Sequence, residues 1–486
     1  IAPHALLYPS LTVPEISVVA VGARDAARAR ALAERWAIPT HGSYEQVIHS
    51  DGIDAVYIAL VNGAHYQWAA SALRAGKHVL CEKPLTSNAA EARKLEKLAA
   101  DKSLVLMEAY HNLHHPLATR MRELVQSGEL GSLTSIQLSS GLPGPDGFLP
   151  VLRAKLGRQP PAAVPAAEGT PRKAKMDPAL GGGKFLGQGC YTISMARWLL
   201  SASDDDLASV DTAVMVEDVP GSKADVATDA TLTSKHGVKV SVYHSSLGPG
   251  FDLTATFTNG SFTARNYLFP WIYHHLVVTY GRRLPAAGVH GEEDYYNRLV
   301  ARWVPVSLRA AMGSRQADVL RSIASALRTL GSLYFSDWRI EQHYESRIPS
   351  ASDPSGCAEL EGRRTWGAMM PPVYTCVKQT KKAKEEEARS SSQIIKSQSS
   401  FALQLKAFAM AVRLRDLHAA DETTYAHVLD KLGWGAKGKE ARAEVEARLK
   451  RDPSAWALDA TSPAAAVANM EMLDAIYTKS GLGLRG

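Results

Sequence analysis

Val79-Leu80-Cys81-Glu82-Lys83-Pro84-Leu85 sets a short apolar strand directly against an acid, a lysine and a proline. Upstream, Asp54-Ala55-Val56-Tyr57-Ile58-Ala59-Leu60-Val61-Asn62-Gly63-Ala64-His65 reads as a second buried strand, then a polar turn and a helix. Two apolar strands joined by one helix make a parallel βαβ unit, and open α/β sheets bind ligands where such strands end. A lysine at that edge is placed for chemistry rather than for solubility.

The same alternation continues on both sides. Glu15–Arg24 reads as a buried strand, and Asp25 caps a helix with Ala29, Leu32, Ala33 and Trp36 inward. A short helix from about Ser43 precedes the strand Ile53–Leu60, and the next helix runs from near Gly63 to Gly76. Asn88, with Glu91 three residues on, predicts a capping box opening a helix to about Ala100. Leu104–Met107 is a further strand. Strand and helix alternating in this way make a parallel α/β layer.

Beyond it the period changes. Ile136 and Leu138, then Val238, Val240 and Val242, alternate with polar residues, and Asn259-Gly260 is a strong hairpin turn between Phe257 and Phe262. A second domain of α+β type with a mainly antiparallel sheet follows. The spacing predicts helices near 296–332, and Lys381 to Ser400 reads as a linker. Phe401, Leu405, Phe408 and Val412 make a helical stripe, Lys439–Arg451 has helical spacing, and a last helix runs from Ser462-Pro463 to Gly481. The expected organisation is a dinucleotide-binding domain at 1–110, a substrate domain at 111–284 and 400–486, and an insertion or linker at 285–399. The segment 300–395 is either a surface elaboration or non-coding sequence carried into the reading frame.

The balance of 55 basic against 49 acidic residues leaves a net charge of +6, spread along the chain. The pairs Arg282-Arg283 and Lys381-Lys382 are solvated surface, so no nucleic-acid partner is expected. No apolar run reaches the ~18 residues a bilayer needs, and no signal peptide is visible. The expected compartment is the cytoplasm, with no membrane partner. Cys81, Cys190, Cys357 and Cys376 lack metal-ligand spacing, and the first two are expected buried and reduced. His111, His114 and His115 cluster, but no acid or cysteine stands in register, so no metal is expected.

Gly76-Lys77-His78-Val79-Leu80-Cys81-Glu82-Lys83-Pro84, following the Val61-Asn62-x-x-His65 turn, resembles the Glu-Lys-Pro motif of the Gfo/Idh/MocA oxidoreductases. The likeness runs over roughly residues 1–280, 400–416 and 462–485, and is strongest to the dihydrodiol and NADP-dependent xylose dehydrogenase branch. It implies a Rossmann-type domain whose first strand and G-x-G-x-x-G turn are missing here. Those elements let the backbone and a helix N-terminus approach pyrophosphate. The chain is therefore expected to be an N-terminal truncation that binds cofactor poorly, with about 10–15 further residues restoring binding. A divergent protein that binds no dinucleotide is the alternative.

The strand ending Val21-Gly22-Ala23-Arg24 carries no acid for a ribose 2′-hydroxyl. Arg24, with Arg28 one helical turn on, can fork to a 2′-phosphate, so NADP is expected over NAD. The resemblance implies an alkoxide-stabilising role for Lys83 and an acid–base role for Tyr191. The latter closes the Gly-rich segment Leu180-Gly181-Gly182-Gly183-Lys184-Phe185-Leu186-Gly187-Gln188-Gly189-Cys190-Tyr191. A tyrosine with its ordinary pKa of about 10 is a poor base at neutral pH, and an adjacent ammonium favours its phenolate. Glu82 and Pro84 are expected to shape the nicotinamide-ribose site, with Leu60, Asn62 and His65 near the cofactor; a helix-start role suits His65 equally. Tyr110, Asn112 and His115 are expected against a sugar or trans-diol substrate. Two departures stand out: Gly187 where many relatives carry an aspartate, and Leu113 where many carry an arginine. The implied activity is hydride transfer between a sugar or trans-diol carbinol and the nicotinamide. A non-catalytic cofactor-binding member of the same fold is the alternative, and a homodimer through the C-terminal sheet is expected.

Overall fold

The computed structural model describes residues 2–141, 175–245, 250–270, 275–280, 294–305, 338–347, 357–363, 373–379, 399–418 and 453–486. They fall into two compact units. One comprises Ile1–Gln126, Ser135–Leu253 and Gln398–Gly486; the other comprises Ser127–Thr134 and Thr254–Ser397.

In the first unit, strands Ala55–Ile58, His78–Cys81 and Leu106–Glu108 form a parallel sheet. Helices Asn62–Arg74 and Ala89–Asp101 cross over between them. His78–Cys81 is buried along its whole length, as expected of a parallel strand covered on both faces. Ala69, Leu73, Leu85 and Leu95 pack one face, and Val13, Met107, Leu405 and Phe408 the other. Leu405 and Phe408 come from helix Ser400–His418, the stripe read from the sequence. The Asn88 cap accepts from Glu91 N at 3.0 Å, but the Glu91 carboxylate returns to Ser87 N at 3.1 Å, one residue earlier than a capping box requires. Helix Pro463–Lys479 is tied to this layer by Asp474, whose carboxylate accepts from Ala89 N at 2.8 Å.

A second, two-stranded parallel sheet pairs Ala20–Gly22 with Thr40–Gly42. Here the strand expected over Glu15–Arg24 is corrected: only Ala20–Gly22 is extended and paired, and all three residues are half-buried. The reason is visible beside it. A cavity of about 900 Å³ lies between this sheet and the first, lined by Ala20, Val21 and Gly22 on one side and Ala55, Val56 and Tyr57 on the other. Among the described residues no strand joins the two sheets. In a doubly wound sheet, that is the position of the first strand.

Also in the first unit, Ser135–Ser140 of strand Leu133–Ser140 runs parallel to Lys239–His244, and Asp225–Ser234 pairs antiparallel with Lys239–Ser245 and with the edge strand Leu207–Glu217. In the second unit, Gly260–Arg265 follows the Asn259 turn and pairs antiparallel with His275–Tyr280. Helices expected near 296–332 are not found where that region is described. Asp294–Pro305 is a strand, paired antiparallel with Trp338–Arg347. Tyr295, Tyr296, Val300, Trp303 and Val304 explain it, because aromatic and β-branched residues suit a pleated surface better than a helix. Cys357–Arg363 and Val373–Gln379 form a separate antiparallel pair. Lys439–Arg451 and linker residues 381–398 lie outside the described residues. Among the described residues no helix is long and apolar enough to cross a membrane.

Candidate active site

Lys83 leaves the end of strand His78–Cys81, where the Lys83–Pro84 peptide is cis. Its ammonium donates to the carbonyl of Gly187 and lies 4.5 Å from the centre of the Tyr191 ring. A cation over an aromatic face is attracted by the ring quadrupole. The two residues assigned to the chemistry, 108 positions apart in the chain, thus meet. Tyr191 is buried at 5% exposure, with Tyr110 edge-on at 5.3 Å and His111 at 6.0 Å between ring centres.

The Gly-rich segment reaches Lys83 through its backbone. Phe185–Gly189 forms a single π-helical turn that runs straight into helix Cys190–Leu200. A Cβ at Gly183, where φ is +125°, would run into the Asp225 carboxylate, whereas one at Gly187 would meet nothing within 4 Å. Gly187 therefore leaves open space where a side-chain carboxylate would stand, and its carbonyl accepts a hydrogen bond from the Lys83 ammonium instead.

Glu82 is buried beneath this pair. The Tyr57 hydroxyl donates to its carboxylate at 2.5 Å. Burial pushes the Glu82 carboxyl up, against the pull of Lys83 and Tyr57, and pushes the Tyr57 phenol well up. His65 is 1% exposed, with its ring nitrogens 2.8 Å from Pro84 O and 3.2 Å from Leu60 O. Burial lowers its pKa. With one N–H as a neutral ring, it donates to one of these two carbonyls, the shorter contact being to the turn at Pro84. Asn62 donates to Gly181 O at 2.9 Å, linking the same strand end to the Gly-rich segment. Arg24 and Arg28 are exposed at the end of strand Ala20–Gly22, beside Asp25, which accepts from Ala27 N and Arg28 N as the predicted cap.

The three residues expected against substrate are all buried. The Tyr110 hydroxyl points to Cys190 O at 3.4 Å. His115 Nδ1 accepts from Leu117 N at 3.1 Å, at the start of helix Pro116–Gln126. The Asn112 amide is 1% exposed with no hydrogen-bond partner among the described residues. His111 meets Ser400 at 2.9 Å, and burial holds His111 and His114 down at about 3. Cys81 and Cys190 are buried free thiols, as expected.

Sequence reasoning passed over Glu108. It sits wholly buried at the end of strand Leu106–Glu108 and accepts from Leu85 N at 2.8 Å, directly behind Lys83-Pro84. Among the described residues its other oxygen makes no hydrogen bond within ordinary limits, and the Asn469 amide lies close enough to pull its pKa down. Burial pushes its carboxyl up to about 7. An acid closing an otherwise apolar strand was the available signal.

The profile described as oxidoreductase family, NAD-binding Rossmann fold, of Gfo/Idh/MocA matches residues 4–110, and the C-terminal domain profile of that family matches 118–263. Together they span more than half of the 486 residues, and the chain belongs to the Gfo/Idh/MocA family. It is 37% identical over 199 residues to D-xylose 1-dehydrogenase (NADP(+)) 2 of Haloferax volcanii, covering 41% of this chain and 54% of that protein. It is 32% identical over 193 residues to trans-1,2-dihydrobenzene-1,2-diol dehydrogenase of Xenopus laevis, covering 39% and 51%. The chain thus spans about half the length of the curated relatives it matches. The crystal structure of an oxidoreductase domain protein from Kribbella flavida shares the fold, with a TM-score of 0.56 at 14% identity over 99% of this chain and 94% of that one.

Proposed function

We propose that this chain is built for NADP-dependent hydride transfer at a carbinol carbon of a sugar or a cyclic trans-diol. One observation carries the reading: the Lys83 ammonium lies over the Tyr191 ring at the carboxyl end of a parallel strand. Oxidising a carbinol needs a base for the hydroxyl proton and a positive group for the growing alkoxide. Tyr191 takes the first role and Lys83 the second. The names of the relatives, a xylose and a dihydrodiol dehydrogenase, support the substrate class and, for the first, NADP.

The described residues suit the two ends of a dinucleotide. Arg24 and Arg28 are exposed cations at one strand end, with no anionic partner among the described residues, and would hold a 2′-phosphate. Leu60, Asn62, Glu82, Lys83 and Pro84 would frame the nicotinamide ribose, with His65 fixing the distance between the two strand ends. The bound cofactor would supply the hydride acceptor. Tyr110, Asn112 and His115 line the reading's substrate side, where the unpartnered Asn112 amide is the strongest candidate for a substrate hydroxyl. The same reading includes a homodimer through the C-terminal sheet, whose edge strand presents Val214 and Val216 at 65% and 55% exposure.

The test is a panel of aldoses and cyclic diols with NADP, followed by reduced-nicotinamide absorbance. Turnover that Tyr191→Phe removes supports the proposal. Tight NADP binding with no turnover on any substrate favours a non-catalytic member of the fold, for which the bare Gly187 is the motivating feature.

A further inference from the structure

Three residues far from Lys83 in sequence end in one buried cluster behind the Gly-rich segment. Asp225, on strand Asp225–Ser234, is 0% exposed; Tyr477, on the last helix, and Arg485, in the C-terminal tail, are each 1% exposed. The Tyr477 hydroxyl donates to Asp225 Oδ1 at 2.7 Å, and Arg485 Nη2 reaches the same oxygen at 3.3 Å. The guanidinium also lies 4.1 Å from the centre of the Tyr477 ring.

What this cluster holds is backbone. Asp225 Oδ2 accepts from Phe185 N at 2.6 Å, and the Tyr477 oxygen accepts from Leu186 N at 3.0 Å. Those are the first two residues of the π-helical turn whose Gly187 carbonyl receives the Lys83 ammonium. The tail adds two ties: Gly486 N donates to Pro178 O at 3.1 Å, and Asn88 donates to Arg485 O at 3.0 Å. A charge-assisted bond from a buried carboxylate to a backbone N–H is among the stronger hydrogen bonds a protein makes. A buried carboxylate sharing one oxygen between a hydroxyl and a guanidinium leaves its other oxygen fixed in direction.

We infer that Asp225, Tyr477 and Arg485 are positioning residues that hold Phe185–Gly189 so that Gly187 O and the Tyr191 ring both engage Lys83. The inference rests on the function proposed above only for its catalytic consequence; the positioning itself is independent of it. Their side-chain hydrogen bonds and the guanidinium–ring contact go to one another and to Phe185 N and Leu186 N, one step removed from Lys83.

The test compares the full chain with Tyr477→Phe and Asp225→Asn. Tyr477→Phe removes one oxygen and keeps the ring, so it remains informative if Asp225→Asn fails to fold. The first readout is the rate at which trace acetic anhydride acetylates Lys83, by peptide mass spectrometry, with exposed Lys102 as internal reference. With Gly187 released, Lys83 should react about three- to tenfold faster and Lys102 unchanged. The second is a split between kcat and KM, read well below each variant's melting temperature. The kcat should fall at least about tenfold, with the NADP dissociation constant unmoved. A network that only stabilises the unit would lower the melting temperature and leave Lys83 acetylation and kcat alone, and that result overturns the proposal. If the unaltered chain binds NADP and turns over no substrate, the function proposed above fails, and Lys83 acetylation alone still decides this one.

Discussion

Replacing Glu108 with glutamine should change how stability depends on pH, with a sign and size that follow from its burial. A carboxyl with an ordinary pKa of 4.5 that titrates at about 7 when folded carries a differential of about 3 kcal/mol, from 2.5 units at 1.36 kcal/mol each. Because the folded value is the raised one, that stability is fully present below pH 4.5 and is lost as pH rises through 7. About 2 of those 3 kcal/mol are lost between pH 5.5 and 8.5. Glutamine does not titrate, and its oxygen can still accept from Leu85 N. Its NH2 group falls where the unpartnered oxygen now lies, which costs about 1–2 kcal/mol at every pH. Glu108→Gln should therefore be the less stable protein below pH 4.5, about level with the parent near pH 5.5, and more stable than it by about 1–2 kcal/mol at pH 8.5. Urea unfolding followed by tryptophan fluorescence at half-unit pH steps measures this. Curves that stay parallel across the range would refute the reasoning, because Glu108 would then ionise alike in both states.

Three further outcomes are expected. Gly187→Ala adds a methyl group into open space and should raise stability by about 0.5–1 kcal/mol, seen as a higher melting temperature; a lower one would mean the space is not there. Arg24→Asp should weaken NADP binding and shift preference toward NAD, because a carboxylate repels a 2′-phosphate and accepts from a 2′-hydroxyl; an unchanged ratio of dissociation constants counts against Arg24. Fusing about 10–15 residues ahead of Ile1, an apolar strand and a glycine-rich turn, should fill the cavity between the two parallel sheets. Amides of Ala20, Gly22, Ala55 and Tyr57 should then exchange more slowly and NADP affinity rise; unchanged exchange at all four would show that the cavity does not accept a strand.

The legible part of the fold was local. Glu82-Lys83-Pro84 after a buried strand, the Asp25 and Asn88 caps and the stripe Phe401 to Val412 each follow from a few adjacent residues, and each stands where expected. The pairing of Lys83 with Tyr191 was legible only through the family resemblance, since no spacing rule joins positions 108 apart. What stayed illegible was long-range. Nothing around Asp225 says that it will bind Phe185 N and meet Tyr477 and Arg485. Nothing near His65 shows that its ring will lie between the carbonyls of Pro84 and Leu60. Asp294–Pro305 misled for a different reason: Tyr, Val, Leu and Trp at mixed spacing satisfy a helical stripe as well as a strand, and the partner that decides, Trp338–Arg347, lies some forty residues on.

The most direct measurement is reduced-nicotinamide formation by the chain and by Lys83→Ala, at saturating NADP with the best sugar or diol of the panel. With the ammonium gone, no positive group faces the growing alkoxide, and the rate at saturating NADP should fall by about 10²–10³. Equal rates would contradict the account, leaving Lys83 as a side chain that ties a strand end to Gly187 and nothing more.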